Sequence, residues 1–217
     1  ELMTEPLAES AAGSIVDDGY LLRLAEKKSV VAVGPGLGTA AETVELVRRL
    51  VRDCAQPMVV DADGINALAG SAFDGVGRLR VLTPHPGEMA RLTGKSIEEI
   101  QGDRVAAARG FATEHHVILV LKGYRTLIAF PDGRVWINPT GTPALATGGT
   151  GDILTGTIAG FLGQFPDRPD RAVAAAVYVH GLAGELGAAE LGEKSLVATD
   201  LLRYYPAAFH ACVPNAL

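Results

Sequence analysis

Residues Ser29–Gly64 read "SVVAVGPGLGTAAETVELVRRLVRDCAQPMVVDADG", and this stretch decides the fold class. It opens with a short apolar strand that ends in a glycine turn. Within Thr39–Asp53, the apolar Val44, Val47 and Leu50 then recur at helical spacing. A second apolar strand follows in "PMVVDADG". Strand, helix and strand in this order indicate a parallel sheet covered by helices.

The same alternation continues along the chain. Further strands are expected in "RVLTP" and "VILVLKG". Residues 125–139 contain two apolar runs around Pro131-Asp132-Gly133, which is typical of a β-hairpin. We therefore predict an α/β fold with a mostly parallel sheet, helices on both faces and an antiparallel hairpin at one edge. Helical patterns cover residues 86–94, 103–116, 150–162, 168–191 and 199–209.

Length and composition fit one globular domain spanning residues 1–217. The net charge of -6 argues against a protein that binds nucleic acid by neutralising phosphates. Two cysteines, Cys54 and Cys212, suggest no disulfide framework and fit a reducing, cytoplasmic compartment. No run reaches the about 18 consecutive apolar residues of a membrane span, so no membrane association is expected. The sequence lacks an initiator methionine, and we expect it to begin partway through a longer protein.

The most informative motif is "TGGTGDILTG", in which Gly148, Gly149 and Gly151 precede an apolar helix. Glycines let backbone N–H groups converge, and a helix N-terminus adds unpaired donors, so the motif predicts a phosphate site. Asp152 lies in the first turn of that helix. It could simply cap the helix, but a cap needs one permissive residue rather than three. The alternative is a general base that takes a proton from a hydroxyl attacking a phosphoryl group.

Other candidate motifs follow the predicted strands. "GPGLG" is either a tight turn or a ligand loop. His85 lies between two prolines in "TPHPGE", and Pro86 biases it toward an extended conformation, which favours a fixed ligand contact over a surface role. Lys122 follows an apolar strand, where it either belongs to a solvated turn or binds phosphate as a compact charge.

Few side chains have the spacing of a metal site. Asp61 and Asp63 in "DADGIN" would face the same way on a strand and could hold Mg²⁺ through water, but such residues are also common in turns at helix starts. His180 lies in an alanine-rich helix and is expected to pack or to form a hydrogen bond between helices. The remaining histidines show no ligand spacing, so we predict no metal held directly by protein side chains.

These motifs together carry a family resemblance. "TGGTGDILTG" resembles the anion hole and catalytic base of the ribokinase-like superfamily. Together with "GPGLG", "VVDADGIN", "LTPHPGEMARLTG" and "VLKGYRTLIAFPDGRVWINPTG", it makes the sequence similar to the ADP/ATP-dependent NAD(P)H-hydrate dehydratases from about Val30 to the C-terminus. The resemblance implies a ribokinase-like three-layer α/β/α sandwich.

The resemblance also assigns roles to individual residues. It implies that Asp152 is the catalytic group and that the substrate contacts Gly36, His85 and Asp152. It places the nucleotide at Lys122, Gly123, Tyr124, Arg125, Thr126, Gly148, Gly149 and Gly151. The implied co-substrate is ADP or ATP, with Mg²⁺ as cofactor.

The implied reaction is metabolite repair, in which a hydrated nicotinamide cofactor (NADHX or NADPHX) is dehydrated to NAD(P)H. A homo-oligomer, tetrameric or larger, and an NAD(P)HX epimerase, fused or separate, are the implied partners. The family begins earlier than this sequence, so we expect the domain to be N-terminally incomplete by about a quarter of an ordinary α/β domain. Two alternatives are a ribokinase-like small-molecule kinase and a non-catalytic nucleotide-binding fragment.

Overall fold

A six-stranded sheet forms the centre of the fold in a computed structural model that describes residues 3–16 and 19–213. The strands lie side by side in chain order, from β1 to β6. Their bounds are Val31–Val33 (β1), Met58–Val60 (β2), Arg80–Leu82 (β3), Ile118–Leu121 (β4), Leu127–Ala129 (β5) and Val135–Ile137 (β6).

The sheet changes direction after its fourth strand. β1 to β4 are parallel, with Val59 of β2 opposite Ala32 of β1 and Val81 of β3. β5 and β6 are antiparallel and form the hairpin at one edge, where Ile128 pairs with Val120 and Trp136. Both the parallel order and the antiparallel edge predicted from the sequence are confirmed.

Helices connect and cover the strands. The predicted helical segments are present, with ends displaced by a few residues. Their bounds are Tyr20–Ala25 (α1), Ala41–Asp53 (α2), Ala62–Leu68 (α3), Pro86–Thr93 (α4), Ile97–Gly102 (α5), Arg104–Glu114 (α6), Thr150–Gln164 (α7), Pro169–Leu191 (α8) and Leu201–Cys212 (α9), with 3-10 turns at Pro143–Leu145 and Ala198–Asp200.

Alternating strand residues divide the apolar interior into two layers. Met58 and Val60 point into a cluster formed with α1 to α6, whereas Val59 points into a cluster formed with α7 and α8. A third cluster joins α8 to α9 around Leu201 and Tyr204. The arrangement is the three-layer α/β/α sandwich that the sequence predicted, since successive strand side chains face opposite sides of a sheet.

Helix α8 is long and apolar enough to cross a membrane by length and composition alone. In the fold, 56% of its most apolar window is buried. Its buried apolar side chains belong to the apolar clusters that α8 shares with α7, the sheet and α9.

Of the two alternatives for Asp61 and Asp63, the start of a helix is the one observed, and the expected strand "PMVVDADG" ends earlier than predicted. Asp61 and Asp63 do not lie on a strand, because β2 ends at Val60 and α3 begins at Ala62. Asp61 is the N-cap residue of α3 and Asp63 lies in its first turn, so their carboxylates make different contacts instead of facing the same way.

Candidate active site

Polar side chains from four different elements meet at the carboxyl end of the parallel strands. Asp61 follows β2 and is 1% exposed. Its carboxylate accepts hydrogen bonds of 2.8 Å from the Lys122 ammonium and 2.8 Å from the Thr155 hydroxyl. Lys122 Nζ also lies 3.7 Å from Glu88 Oε2. A buried carboxylate is costly unless it is paired and hydrogen-bonded, so the cluster is a fixed electrostatic unit.

His85 begins α4 and is held at the strand end as the sequence predicted. Its backbone is extended, with φ -79° and ψ 167°, directly before Pro86. Its Nδ1 accepts hydrogen bonds from the N–H groups of Gly87 (3.0 Å) and Glu88 (3.2 Å), and Glu88 Oε2 in turn accepts from the His85 N–H at 2.7 Å. Because Nδ1 is an acceptor, the neutral ring carries its proton on Nε2. The side chain is half-exposed, which leaves it open to a ligand.

The loop after β1 is fixed by the start of α3. Gly34 has φ +134°, and a Cβ there would lie 2.7 Å from the carbonyl carbon of Asp61, so only glycine fits. Asp63 Oδ2 accepts a hydrogen bond of 2.8 Å from the Gly38 N–H. Gly36, the predicted substrate contact, lies between Gly34 and Gly38 in this loop. Its φ is +71°, and no heavy atom lies within 4 Å of its Cβ position. The loop therefore presents an open face at Gly36.

The glycine motif forms the N-terminus of α7, as expected. Gly149 is the N-cap residue in the left-handed conformation, with φ +90°, and no side chain caps the helix. Gly148 has no heavy atom within 4 Å of its Cβ position, so its backbone is open to a ligand. Asp152 is exposed in the first turn, and within the described residues its carboxylate has no hydrogen-bonding partner. Gly149 is therefore the N-cap residue, and Asp152 makes no capping hydrogen bond to the described residues.

The structure brings the lysine and the glycine motif together. A Cβ placed on Gly151 would lie 3.4 Å from Lys122 Nζ and 3.7 Å from Asp61 Oδ2. An ammonium ion is thus held beside a helix N-terminus whose partial charge is also positive. Both features favour an anion at this position.

The segment from Lys122 to Thr126 is a tight, exposed loop between β4 and β5. Tyr124 is 82% exposed, and Arg125 has φ +52°. Thr126 Oγ1 donates to the Gly123 carbonyl at 3.1 Å. The sequence had singled out these residues but not Arg104, whose guanidinium donates to the loop from α6. No local pattern marks Arg104, since its partners lie about 20 residues later in the chain.

His180 lies inside the helical layer and not among the site loops. Its Nδ1 is 3.1 Å from Tyr205 Oη, which is 2.6 Å from Thr157 Oγ1. Thr157 donates its only proton to the Ile153 carbonyl at 2.7 Å, so Tyr205 donates to Thr157 and accepts from His180. The predicted helix-to-helix hydrogen bond of His180 is confirmed.

A family model for NAD(P)H-hydrate dehydratases matches residues 1–207 of the chain. The chain belongs to the NAD(P)H-hydrate dehydratase family. It is 48% identical over 211 residues to the bifunctional NAD(P)H-hydrate repair enzyme Nnr of Moorella thermoacetica, covering 95% of this chain and 39% of that protein. It is 42% identical over 185 residues to the ADP-dependent (S)-NAD(P)H-hydrate dehydratase of Bacillus subtilis, covering 85% of this chain and 65% of that protein.

Solved structures agree with this family membership. The ADP/ATP-dependent NAD(P)H-hydrate dehydratase of Bacillus subtilis, crystallised with ATP and Mg²⁺, superimposes with a TM-score of 0.78 at 38% identity, covering 88% of this chain and 69% of that one. A hydroxyethylthiazole kinase of Pyrococcus horikoshii has a TM-score of 0.66 at 15% identity, which shows a shared fold. The predicted family and the ribokinase-like fold are confirmed. The chain spans about two fifths of the bifunctional relatives' length.

Proposed function

We propose that this protein dehydrates hydrated NAD(P)H at the expense of ADP or ATP. The observation that carries the proposal is the approach of the Lys122 ammonium to Gly151, directly before the exposed and unpartnered Asp152. An anion site and a carboxylate base then occupy the same helix N-terminus. The name and the ATP/Mg²⁺ complex of the Bacillus subtilis relative support the choice of substrates.

The chemistry needs two steps. Asp152 takes the proton from the hydroxyl of the hydrated nicotinamide ring, and the oxygen attacks the terminal phosphoryl group of the nucleotide. Phosphate is a better leaving group than hydroxide, so its elimination, with loss of a ring proton, restores the double bond of NAD(P)H. With ADP as donor, the other products are AMP and inorganic phosphate. The backbone at Gly148–Gly151 and Lys122 would hold the phosphoryl oxygens in place.

We propose that His85 and Gly36 face the hydrated ring. His85 is fixed by its cap contacts and half-exposed, and its protonated Nε2, which lies 3.4 Å from Glu88 Oε1, would donate to the substrate. Lys122 to Thr126 would take the rest of the nucleotide. Gly148, Gly149 and Gly151 would contribute backbone N–H groups to its phosphates.

Mg²⁺ would bind at the carboxyl end of the parallel strands, where it would keep water ligands and contact the phosphates of the nucleotide. Within residues 3–16 and 19–213, no three acidic, histidine or cysteine side chains are grouped as a metal cage. Mg²⁺ rarely needs one, because it binds through one or two carboxylates together with substrate phosphates. The carboxylates of Asp61 and Glu88 are already paired with Lys122 and with the His85 N–H, so the ion would bind mainly through phosphate oxygens and water. When bound, the ion would neutralise charge on the phosphates.

The wider setting is proposed on the same basis. Residues 1–217 would form one domain, in a homo-oligomer and in the cytoplasm, with an NAD(P)HX epimerase fused or separate. The Moorella thermoacetica relative is named as bifunctional, which supports a linked second activity.

The test is to mix the protein with NADHX, Mg²⁺ and ADP, and to follow the near-ultraviolet absorbance of the reduced nicotinamide. We expect absorbance to rise with the wild type and the rate to fall by on the order of 10²–10⁴ in Asp152→Asn. A stable phosphorylated product without NADH would instead indicate a kinase. Nucleotide binding without turnover in both proteins would indicate a non-catalytic binding protein.

A further inference from the structure

Arg104, at the start of α6, reaches beneath the loop between β4 and β5. Its Nη1 donates to the Tyr124 carbonyl at 2.6 Å. Its Nη2 donates to the carbonyls of Leu121 and Lys122 at 3.2 and 3.4 Å. One guanidinium ion therefore binds carbonyl oxygens that precede and follow Gly123 in the chain.

Gly123 permits this close approach. Its φ is +138°, and a Cβ would lie 3.1 Å from Arg104 Nη2. The glycine thus allows both the turn and the contact with the cation. Burial lowers the pKa of Arg104, but an arginine remains charged at neutral pH. Its Nε is buried and has no hydrogen-bond partner among the described residues. The orientation in which the guanidinium binds the loop carbonyls therefore leaves the Nε–H without an acceptor.

The orientation of these carbonyls determines where the loop's donors point. In a trans peptide, the C=O of one residue and the N–H of the next point in opposite directions. Because Arg104 binds the carbonyls of Lys122 and Tyr124, the N–H groups of Gly123 and Arg125 point away from it. Neither N–H makes a backbone hydrogen bond in the part of the chain that is described, and both residues are exposed.

We propose that Arg104 is a positioning residue for nucleotide binding, which turns the N–H groups of Gly123 and Arg125 toward acceptor atoms of the nucleotide. The inference rests on the proposed function, which places the nucleotide at this loop. Arg104 itself lies on the opposite side of the peptide planes. It acts by holding the loop in the conformation that binds.

The matched control is Arg109, on the same helix. Its Nε donates to the Gly133 carbonyl at 3.0 Å, at the turn of the β5–β6 hairpin. Arg104→Met and Arg109→Met remove the same charge and retain a long apolar side chain. Arg104→Lys retains the charge but loses the planar fork that binds several carbonyls at once.

The experiment measures ADP binding by calorimetry and the KM values for ADP and for NADHX. If the loop adopts its binding conformation only a tenth of the time without Arg104, the Kd for ADP rises about tenfold. We expect that rise in Arg104→Met, a smaller one in Arg104→Lys, and no change in Arg109→Met. The KM for NADHX and the value of kcat should remain within about twofold of wild type, which a general loss of structure would not allow.

Equal ADP affinity in wild type and Arg104→Met would overturn the inference while leaving the proposed function intact. A wild type that binds neither ADP nor ATP would overturn both. If Arg104→Met fails to fold, Arg104→Lys decides, because a folded Lys variant with wild-type ADP affinity contradicts a positioning role.

Discussion

The Lys122 ammonium and the Asp61 carboxylate form an ion pair of 2.8 Å between the ends of β4 and β2. Asp61 is 1% exposed and the Lys122 side chain 20% exposed. Thr155 of α7 donates to the second oxygen of Asp61 at 2.8 Å. The pair therefore links two strands to the helix that carries the glycine motif, and it fixes the ammonium ion beside Gly151.

Removing the charge of Asp61 should destabilise the protein and release Lys122. Breaking a buried pair leaves an uncompensated charge, so we expect Asp61→Asn to lower the free energy of unfolding by about 3 kcal/mol. Affinity for ADP should fall as well, because Lys122 would lose its fixed position. Urea denaturation and ADP calorimetry measure the two effects.

Asp63→Asn is the matched control for this substitution. Its amide oxygen can still accept from the Gly38 N–H, so the change in unfolding free energy should be within about 0.5 kcal/mol. Equal urea midpoints for Asp61→Asn and wild type would show that the ion pair contributes nothing to stability.

His85 combines a structural contact with a proposed ligand contact, and two substitutions separate them. Asn is a strong N-cap residue, so His85→Asn should retain stability, whereas His85→Ala should lose about 1 kcal/mol. If the imidazole contacts the substrate, both variants should raise the KM for NADHX. Urea denaturation and steady-state kinetics test this pair, and wild-type kinetics in His85→Asn would exclude the substrate contact.

The sequence predicted those parts of the fold that depend on local pattern. Apolar runs and helical spacing were sufficient for the parallel strands, the hairpin and the long helices. The "HPGE" motif also held a local signal for a helix cap, with the glutamate three residues after the histidine. Contacts between distant residues left no such signal. The contact of Asp61 with Lys122, which lies 61 residues away, was not predicted because no local pattern marks it.

The buried Arg80 is a further case of a contact that sequence patterns do not reveal. It occupies β3, where an apolar residue would be expected, and its guanidinium binds the carbonyls of Val51 (2.9 Å) and Gln56 (2.9 Å). Those carbonyls belong to the end of α2 and the turn after it. The charge is buried because the chain there offers acceptors that only the folded arrangement brings together.

Two glycine-to-alanine substitutions should have opposite effects on stability. A Cβ on Gly181 of α8 would lie 2.9 Å from the Thr140 carbonyl carbon, so Gly181→Ala must displace the segment before the glycine motif. We expect a loss of about 1–3 kcal/mol. Gly110 of α6 is exposed and has no neighbour within 4 Å of its Cβ position, so Gly110→Ala should gain about 0.5–1 kcal/mol. Thermal or urea denaturation of both variants measures these changes. A Gly181→Ala variant as stable as the wild type would contradict the close packing of Gly181 against Thr140.

His180 should make stability depend on pH. Burial, together with the nearby Lys122 charge, lowers the pKa of His180 from 6.5 to about 4. As the pH falls, the unfolded chain therefore takes up a proton on His180 near pH 6.5, whereas the folded protein takes it up only near pH 4. This contribution to stability is complete above pH 6.5 and is lost as pH falls toward 4, amounting to about 3 kcal/mol.

The measurement is the urea midpoint as a function of pH for the wild type, His180→Gln and His210→Gln. Carboxylates also titrate in acid, so the difference between the curves isolates the histidine. His180→Gln should be less stable than wild type at neutral pH, because it disturbs the contact with Tyr205, yet it should lose less stability on acidification. His210 is exposed, so His210→Gln should follow the wild-type curve. Parallel curves for wild type and His180→Gln would mean that the ring takes up its proton equally in the folded and unfolded states.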